Sequence, residues 1–248
     1  MFDPFKDFEV RGYLRNIEGL KDPQGIKLQE NIFFQAQLEE ALGYLSRVRG
    51  PLRYSHFKGT HQRLFGGFYP WAGRDRAELG VAPMVSKGAT VQFAHADEIE
   101  RSMAWGLGMG NDPQKMARCP GEVMGAFAWA HPFLDGNGRT MLLVHAELCK
   151  RAGIRIDWPA TDKSAYLRAL TDELIAPGTH PLDGYLRPFV LPASRRARLL
   201  DELKGLPGLD GLDSLDGSAP NVPDIAYSAD DAVALQQYAE TKRRRAER

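Results

Sequence analysis

The sequence predicts a mainly α-helical bundle carrying one short β-hairpin. Three features carry that expectation. Apolar residues recur at helical spacing through most of residues 1–200, and glycines and prolines punctuate them. One stretch, residues 77–94, instead gathers β-branched residues around Ser86-Lys87-Gly88, as a hairpin would. At 248 residues the chain can form one sizeable core, or one domain with an appendage. Formal net charge is zero, which makes no electrostatic case for nucleic acid or for a membrane surface. The start, MFDPFKDFEVRG, has acids and no long apolar run, and no later stretch is apolar enough to span a bilayer. Cys119 and Cys149 show neither metal nor redox spacing, so a reducing, bacterial cytoplasm is the simplest setting.

In order, residues 1–24 read as mostly loop, packed by Phe2, Phe5, Phe8 and Tyr13. A helix follows over residues 27–49, with Leu28, Ile32, Phe33, Leu38, Leu42, Tyr44 and Leu45 as its apolar face and Gly50-Pro51 as its stop. A second helix covers residues 55–64. The aromatic run FGGFYPWAGRDR, residues 65–76, reads as a packed corner in which Phe68, Tyr69 and Trp71 are core. Asp97 opens another helix, and residues 112–130 form the next, broken near Cys119-Pro120-Gly121. After Arg139 the pattern TMLLVHAELCKRAG predicts a central buried helix closed by Gly153. Two more helices, over residues 162–175 and 184–200, complete the domain.

Between the last two elements of the first half lies HPFLDGNGR, residues 131–139. His131 is the side chain whose ordinary pKa suits it to take a proton from a hydroxyl near neutral pH. Asp135 offers hard oxygen for magnesium. Gly136 and Gly138 let backbone amides approach an anion at the start of the following helix, where the helix dipole favours phosphate. Arg139 adds a permanently charged, bidentate donor. His145 lies six residues further on, about 9 Å at the standard helical rise, and reads as structural.

These nine residues together resemble the signature of the Fic family, HPF-x-(D/E)-GNGR-x-x-R, and residues 69–76 resemble its Y-x-W-A-G-x-x-R element. The resemblance covers residues 9–191. It implies a Fic-like helical bundle with the hairpin as a flap over the active site, in a catalytic domain of residues 1–200. The implied activity is protein adenylyltransfer: AMP passes from ATP to a Ser, Thr or Tyr hydroxyl of a target protein, and pyrophosphate leaves. By the same resemblance His131 is the general base and Asp135 holds Mg2+. Gly136, Asn137, Gly138 and Arg139 bind the nucleotide phosphates, while Val85, Ser86, Lys87 and Gly88 of the flap pair with an extended segment of the target. Gly138 favours nucleotide transfer over phosphate transfer, because the phosphorylating Doc-like branch has lysine there. Phe133 has no chemical task and points into the core.

One position departs from the pattern. Leu142 stands where ATP-using relatives have a second arginine, and the inhibitory motif (S/T)-x-x-x-E-(G/N) that pairs with that arginine is missing too. The loss removes a charge-assisted contact of about 1.5–3 kcal/mol. Three readings follow: an ATP-using enzyme in which Arg74 or Arg76 substitutes, an enzyme using UTP, GTP or a CDP-alcohol, or a degenerate Fic binding module. The intact set His131, Asp135, Asn137 and Arg139 argues for an enzyme. An in-trans antitoxin has room to act but a weak lock without an arginine at 142. A toxin or effector role, the latter with delivery into a host cell, is compatible with the family. Residues 201–225 read as a linker rich in Gly, Pro, Ser and Asp, and residues 226–248 as a C-terminal helix or tail whose basic end suits a helix dipole.

Overall fold

A computed structural model describes residues 15–80, 83–87, 91–193, 196–204 and 225–228. Phe2, Phe5, Phe8, Tyr13 and Gly88, and most of the expected linker and tail, lie outside the described residues. Helix α1, Pro23–Arg47, starts where the Asp22 carboxylate accepts the Gly25 amide, with a proline in the first turn. Its far end is capped across the chain. Arg151 donates to the carbonyls of Leu45 and Val48, placing a cation on the unsatisfied C-terminal oxygens.

The buried face of α1 differs from the expected one. Ile26, Glu30, Phe34, Leu38, Leu42 and Leu45 are buried, whereas Leu28 and Ile32 are about half exposed. The steps of four from Ile26 to Leu42 make one continuous stripe, and a carboxylate sits in it.

Helix α2, Tyr54–Phe65, packs on α1 and leads into the aromatic corner, where Phe68, Tyr69 and Trp71 are fully buried. A short helix α3, Arg76–Leu79, capped by Asp75, was not expected. It precedes the hairpin of β1, Met84–Lys87, and β2, Val91–Gln92. Helix α4, Ile99–Gly110, then α5, Pro113–Arg118, and α6, Pro120–Ala130, follow. The break between the last two falls where Pro120 lacks an amide to continue the earlier helix. Central helix α7, Asn137–Arg151, is buried without interruption from Thr140 to Cys149 and packs against α1, α2, α5 and α6. His145 lies in this core, its Nε2 2.8 Å from the Pro120 carbonyl.

The end of the domain corrects the expected helix over residues 184–200. After α8, Lys163–Ile175, come α9, Pro181–Leu186, a single 3-10 turn, strand β4, Val190–Pro192, and α10, Arg196–Lys204. Pro188 and Pro192 each remove a helical donor, and the freed segment pairs antiparallel with β3, Ile154–Ile156. Helix α6 approaches α9 so closely that a Cβ at Gly121 would meet the Asp183 amide at 2.4 Å. Finally, Tyr227 and Ser228, expected in a helix, belong to strand β5, Ile225–Ser228, which joins the hairpin in the order β2-β1-β5.

Candidate active site

The loop between α6 and α7 brings His131, Asp135, Gly136, Asn137, Gly138 and Arg139 together as the sequence predicts. His131 ends α6 in the left-handed region, φ 39° and ψ 58°, a conformation uncommon for a residue with a side chain. Arg76, buried at the start of α3, holds it there. Its Nε donates to the His131 carbonyl at 2.9 Å and its backbone amide to the Pro132 carbonyl at 2.9 Å. The same guanidinium donates through Nη2 to Ala94 at 2.8 Å, so one side chain ties the loop to the base of the flap. The expectation that Arg76 might reach a donor phosphate is therefore corrected, because its donors are spent on main-chain carbonyls. Arg74 has an exposed contact with the Glu78 carbonyl.

The His131 ring stacks on Phe93 at 4.1 Å and is only 8% exposed. Burial, with Arg76 and Lys87 adding positive charge, lowers its pKa to about 3. At pH 7 the ring is therefore neutral, with a lone pair free to accept a proton, and is a weaker base than an exposed histidine. Its Nε2 is buried with no hydrogen-bond partner. Such an orphan is costly unless something else uses it.

Beyond His131 the chain turns into α7. Gly136 adopts φ 74°, and a Cβ there would meet the Phe65 ring at 2.5 Å, so both backbone and space require glycine. No side chain caps α7. The first intrahelical bond runs from Thr140 to the Gly136 carbonyl, which leaves the amides of Asn137, Gly138 and Arg139 without an intrahelical acceptor. A Cβ at Gly138 would point into open space, with nothing beyond its own turn of helix within 4 Å. An anion fits this end of a fifteen-residue helix.

Asn137 and Arg139 do structural work that the sequence did not reveal, while Phe133 lies in the core as expected. Asn137 bonds both the amide and the carbonyl of Phe133, at 2.9 and 2.7 Å, and so closes the loop. Phe133 is fully buried, stacked on His61 at 3.7 Å. Asp135 is half exposed. Its Oδ1 accepts the Gly136 amide at 2.5 Å, and Oδ2 has no partner among the described residues, so an oxygen remains for a hard cation. Arg139 lies between two carboxylates, its Nη2 3.6 Å from Asp135 Oδ1. Its guanidinium pairs with Glu30 of α1 and lies 4.6 Å over the Phe65 ring, and Tyr69 donates its hydroxyl to the same Glu30. Burial raises the Glu30 pKa, and Arg139 pulls it back.

Three participants were missed: Glu30, Arg76 as a clamp, and His61. His61 accepts the Gly73 amide on Nδ1 at 2.8 Å and bonds the Asp135 carbonyl through Nε2 at 3.0 Å, which fixes the backbone beneath the carboxylate. On the flap, Val85 is buried and accepts the Phe93 amide at 2.9 Å, while Lys87 is near enough to His131 to act on its charge. One other group could geometrically surround a metal ion, Cys119, Glu122 and Asp183, within 4.8 Å of one another at the far end of α6. There Asp183 already accepts the Gly121 and Glu122 amides and serves as a helix cap.

Comparison with known proteins places this architecture. Residues 51–149 match the Fic/DOC family. The chain is 32% identical over 170 residues to the protein adenylyltransferase VbhT of Bartonella schoenbuchensis, covering 67% of this chain and 35% of that protein. It is 25% identical over 166 residues to y4lH of Sinorhizobium fredii, named a probable protein adenylyltransferase, covering 63% and 81%. This chain thus spans about a third of the length of VbhT and most of y4lH. Among solved structures, BepC of Bartonella tribocorum with bound AMPPNP superposes with a TM-score of 0.62 at 22% identity, over 76% of this chain and 98% of that one. The N-terminal Fic domain of a VirB-translocated Bep effector from Bartonella quintana, with bound ADP, gives 0.60 at 25% identity, over 78% and 96%. The helical core that presents His131 on this loop belongs to the Fic/DOC family.

Proposed function

We propose that the protein transfers AMP from ATP to a Ser, Thr or Tyr hydroxyl of a target protein. The observation that carries this reading is that one loop ends in both a neutral, unpartnered His131 Nε2 and the uncapped N-terminus of α7. The adenylyltransferase names of two relatives, and the ADP in a Fic domain 25% identical to this chain, support it.

In this reading His131 Nε2 takes the proton of the target hydroxyl as its oxygen attacks the α-phosphorus. The new O–P bond forms, the bond from the α-phosphorus to the bridging oxygen breaks, and pyrophosphate leaves in line. Amides of Asn137, Gly138 and Arg139 donate to the α-phosphate oxygens, where charge grows in the transition state. Asp135 Oδ2 would hold Mg2+, which would neutralise charge on the donor phosphates. Arg139 acts here through structure: paired with Glu30, it anchors the first turn of α7 against α1. The proposed setting is bacterial cytoplasm or, as for the VirB-translocated relatives, a host cell.

Leu142 favours a second donor reading. It is buried on α7, and Arg139 and Arg76 are both engaged elsewhere, which leaves Arg74 and Lys87 as the nearby cations for a γ-phosphate. A donor panel separates the two. Full-length protein and lysate are incubated with magnesium and each α-³²P nucleotide, beside His131→Ala. ATP-dependent label that is lost in the variant supports AMP transfer. Preference for UTP or GTP would reassign the donor, and no transfer from any nucleotide would count against nucleotidyl transfer. Among the described residues no helix is long and apolar enough to cross a membrane.

A further inference from the structure

Strand β1 is bonded on both sides. Toward β2 it pairs Ser86 with Gln92 and Lys87 with Val91. Its other edge is filled along all four residues by β5: Met84 pairs with Ser228, Val85 with Tyr227, Ser86 with Ala226 and Lys87 with Ile225. Ladder geometry says which amides each side uses. Val85 gives its carbonyl to Phe93 on the β2 side, and successive residues of a strand alternate, so Met84 and Ser86 turn their amides and carbonyls toward β5. The occupied edge is also close to the chemistry. Phe93, stacked on His131, is the rung beside Val85, and Tyr227 is the next rung beyond.

We propose that β5 occludes, in cis, the strand-accepting edge of the flap, so that an extended segment of another protein pairs with β1 only after β5 has left. This rests on the transfer reading for what the incoming strand is, and on the sheet alone for the occlusion. Strand addition draws its affinity from main-chain hydrogen bonds, which are largely indifferent to sequence, so two extended segments compete for one edge. Twenty residues of sequence separate Lys204 from Ile225, so β5 competes for the edge as part of the same chain rather than at its free concentration. Four residue pairs make a short ladder, so occupancy is reversible. An external strand then sees its affinity divided by the fraction of molecules with the edge open. The device sets the threshold for target engagement and leaves the base and the phosphate site untouched.

The test uses the full chain and Ala226→Pro. The Ala226 amide faces β1 in this register, and proline removes it without touching the active-site loop. Three quantities are compared: amide exchange at Met84 and Ser86, affinity for a synthetic peptide of residues 222–231, and the KM and kcat for a labelled target protein. Occlusion predicts slow exchange at both amides in the unaltered chain and at least tenfold faster exchange in the variant. Peptide affinity should rise and target KM fall by a similar factor, with kcat unchanged. A proline-bearing peptide should fail to bind either protein. Equal exchange in the two proteins, or equal peptide affinity, overturns the proposal. So does lost protection with an unchanged KM, because the strand would then form without competing. If exchange and peptide binding shift as expected while no nucleotide is transferred, the occlusion stands and the transfer reading falls.

Discussion

His61 and His131 are both buried, both stack on a phenylalanine, and both have pKa values lowered to about 3 by burial. They differ in one atom. Both ring nitrogens of His61 have partners, Gly73 on one side and Asp135 on the other. His145 is likewise engaged by the Pro120 carbonyl and lies 3.6 Å from the Cys149 sulfur. His131 alone among these three has a buried Nε2 with nothing to bond. Burial and pKa therefore do not distinguish a catalytic histidine from a structural one here. The unsatisfied nitrogen does, together with the strained backbone that Arg76 holds in place.

Replacing each histidine should break the comparison in opposite ways. His131→Ala should lower transfer by about a hundred- to ten-thousandfold, the range expected for a lost general base, measured as initial rate per folded molecule. It also leaves a gap beside Phe93, so a modest fall in Tm is expected with it. Glu30→Ala tests the structural side most strongly. Removing one partner of a buried ion pair costs about 3–5 kcal/mol, and urea unfolding should show that loss. If Arg139 instead serves a donor phosphate directly, Glu30→Ala would tighten donor binding rather than weaken the fold.

Smaller effects sharpen the contrast. His61→Ala leaves the Gly73 amide and the Asp135 carbonyl without their partner, at about 1–3 kcal/mol each when buried, and shifts Asp135. It should raise the magnesium needed for half-maximal rate, with a smaller loss of rate than His131→Ala. Gly136→Ala places a methyl group against Phe65 at a positive φ and should cost about 1–3 kcal/mol by thermal unfolding. A further effect, read on stability rather than on rate, is on pH. His61 and His131 near 3, and His145 near 4, gain protons on unfolding once pH falls below about 6.5. Stability should therefore fall as pH drops from 6.5 toward 4. Glu173, pushed up to about 7 by burial, acts in the opposite direction but is one group against three.

The loop itself was legible in the sequence because its residues are contiguous: glycine at a positive φ, a helix start and a histidine can be read within nine positions. The helices α2, α6, α7 and α8 were legible for the same local reason, since periodicity and caps lie in the chain that folds. What was hidden depends on distant backbone. Arg76 matters through carbonyls of residues 83, 94 and 131, which no side-chain pattern announces. Glu30 did leave a trace: it occupies the stripe of fours shared by Ile26, Phe34 and Leu38, and a carboxylate on a buried stripe demands a partner. The choice of Leu28 and Ile32 as the inner face concealed it. The misread helix over residues 184–200 contained two prolines, which should have ended it.

The central claim is that His131 is a neutral base with an open Nε2, set apart from two equally buried neighbours. Titration of ¹⁵N-histidine resonances from pH 7.5 to 4.5 tests it most directly, with His131→Ala used for assignment. The account predicts that all three buried rings stay neutral down to pH 5. His61 and His145 should each hold one Nε2–H tautomer, and adding a non-hydrolysable ATP analogue should perturb His131 most. A His131 ring that titrates near 6.5, or that shows its Nε2 already hydrogen-bonded while His61 responds to nucleotide, would contradict it.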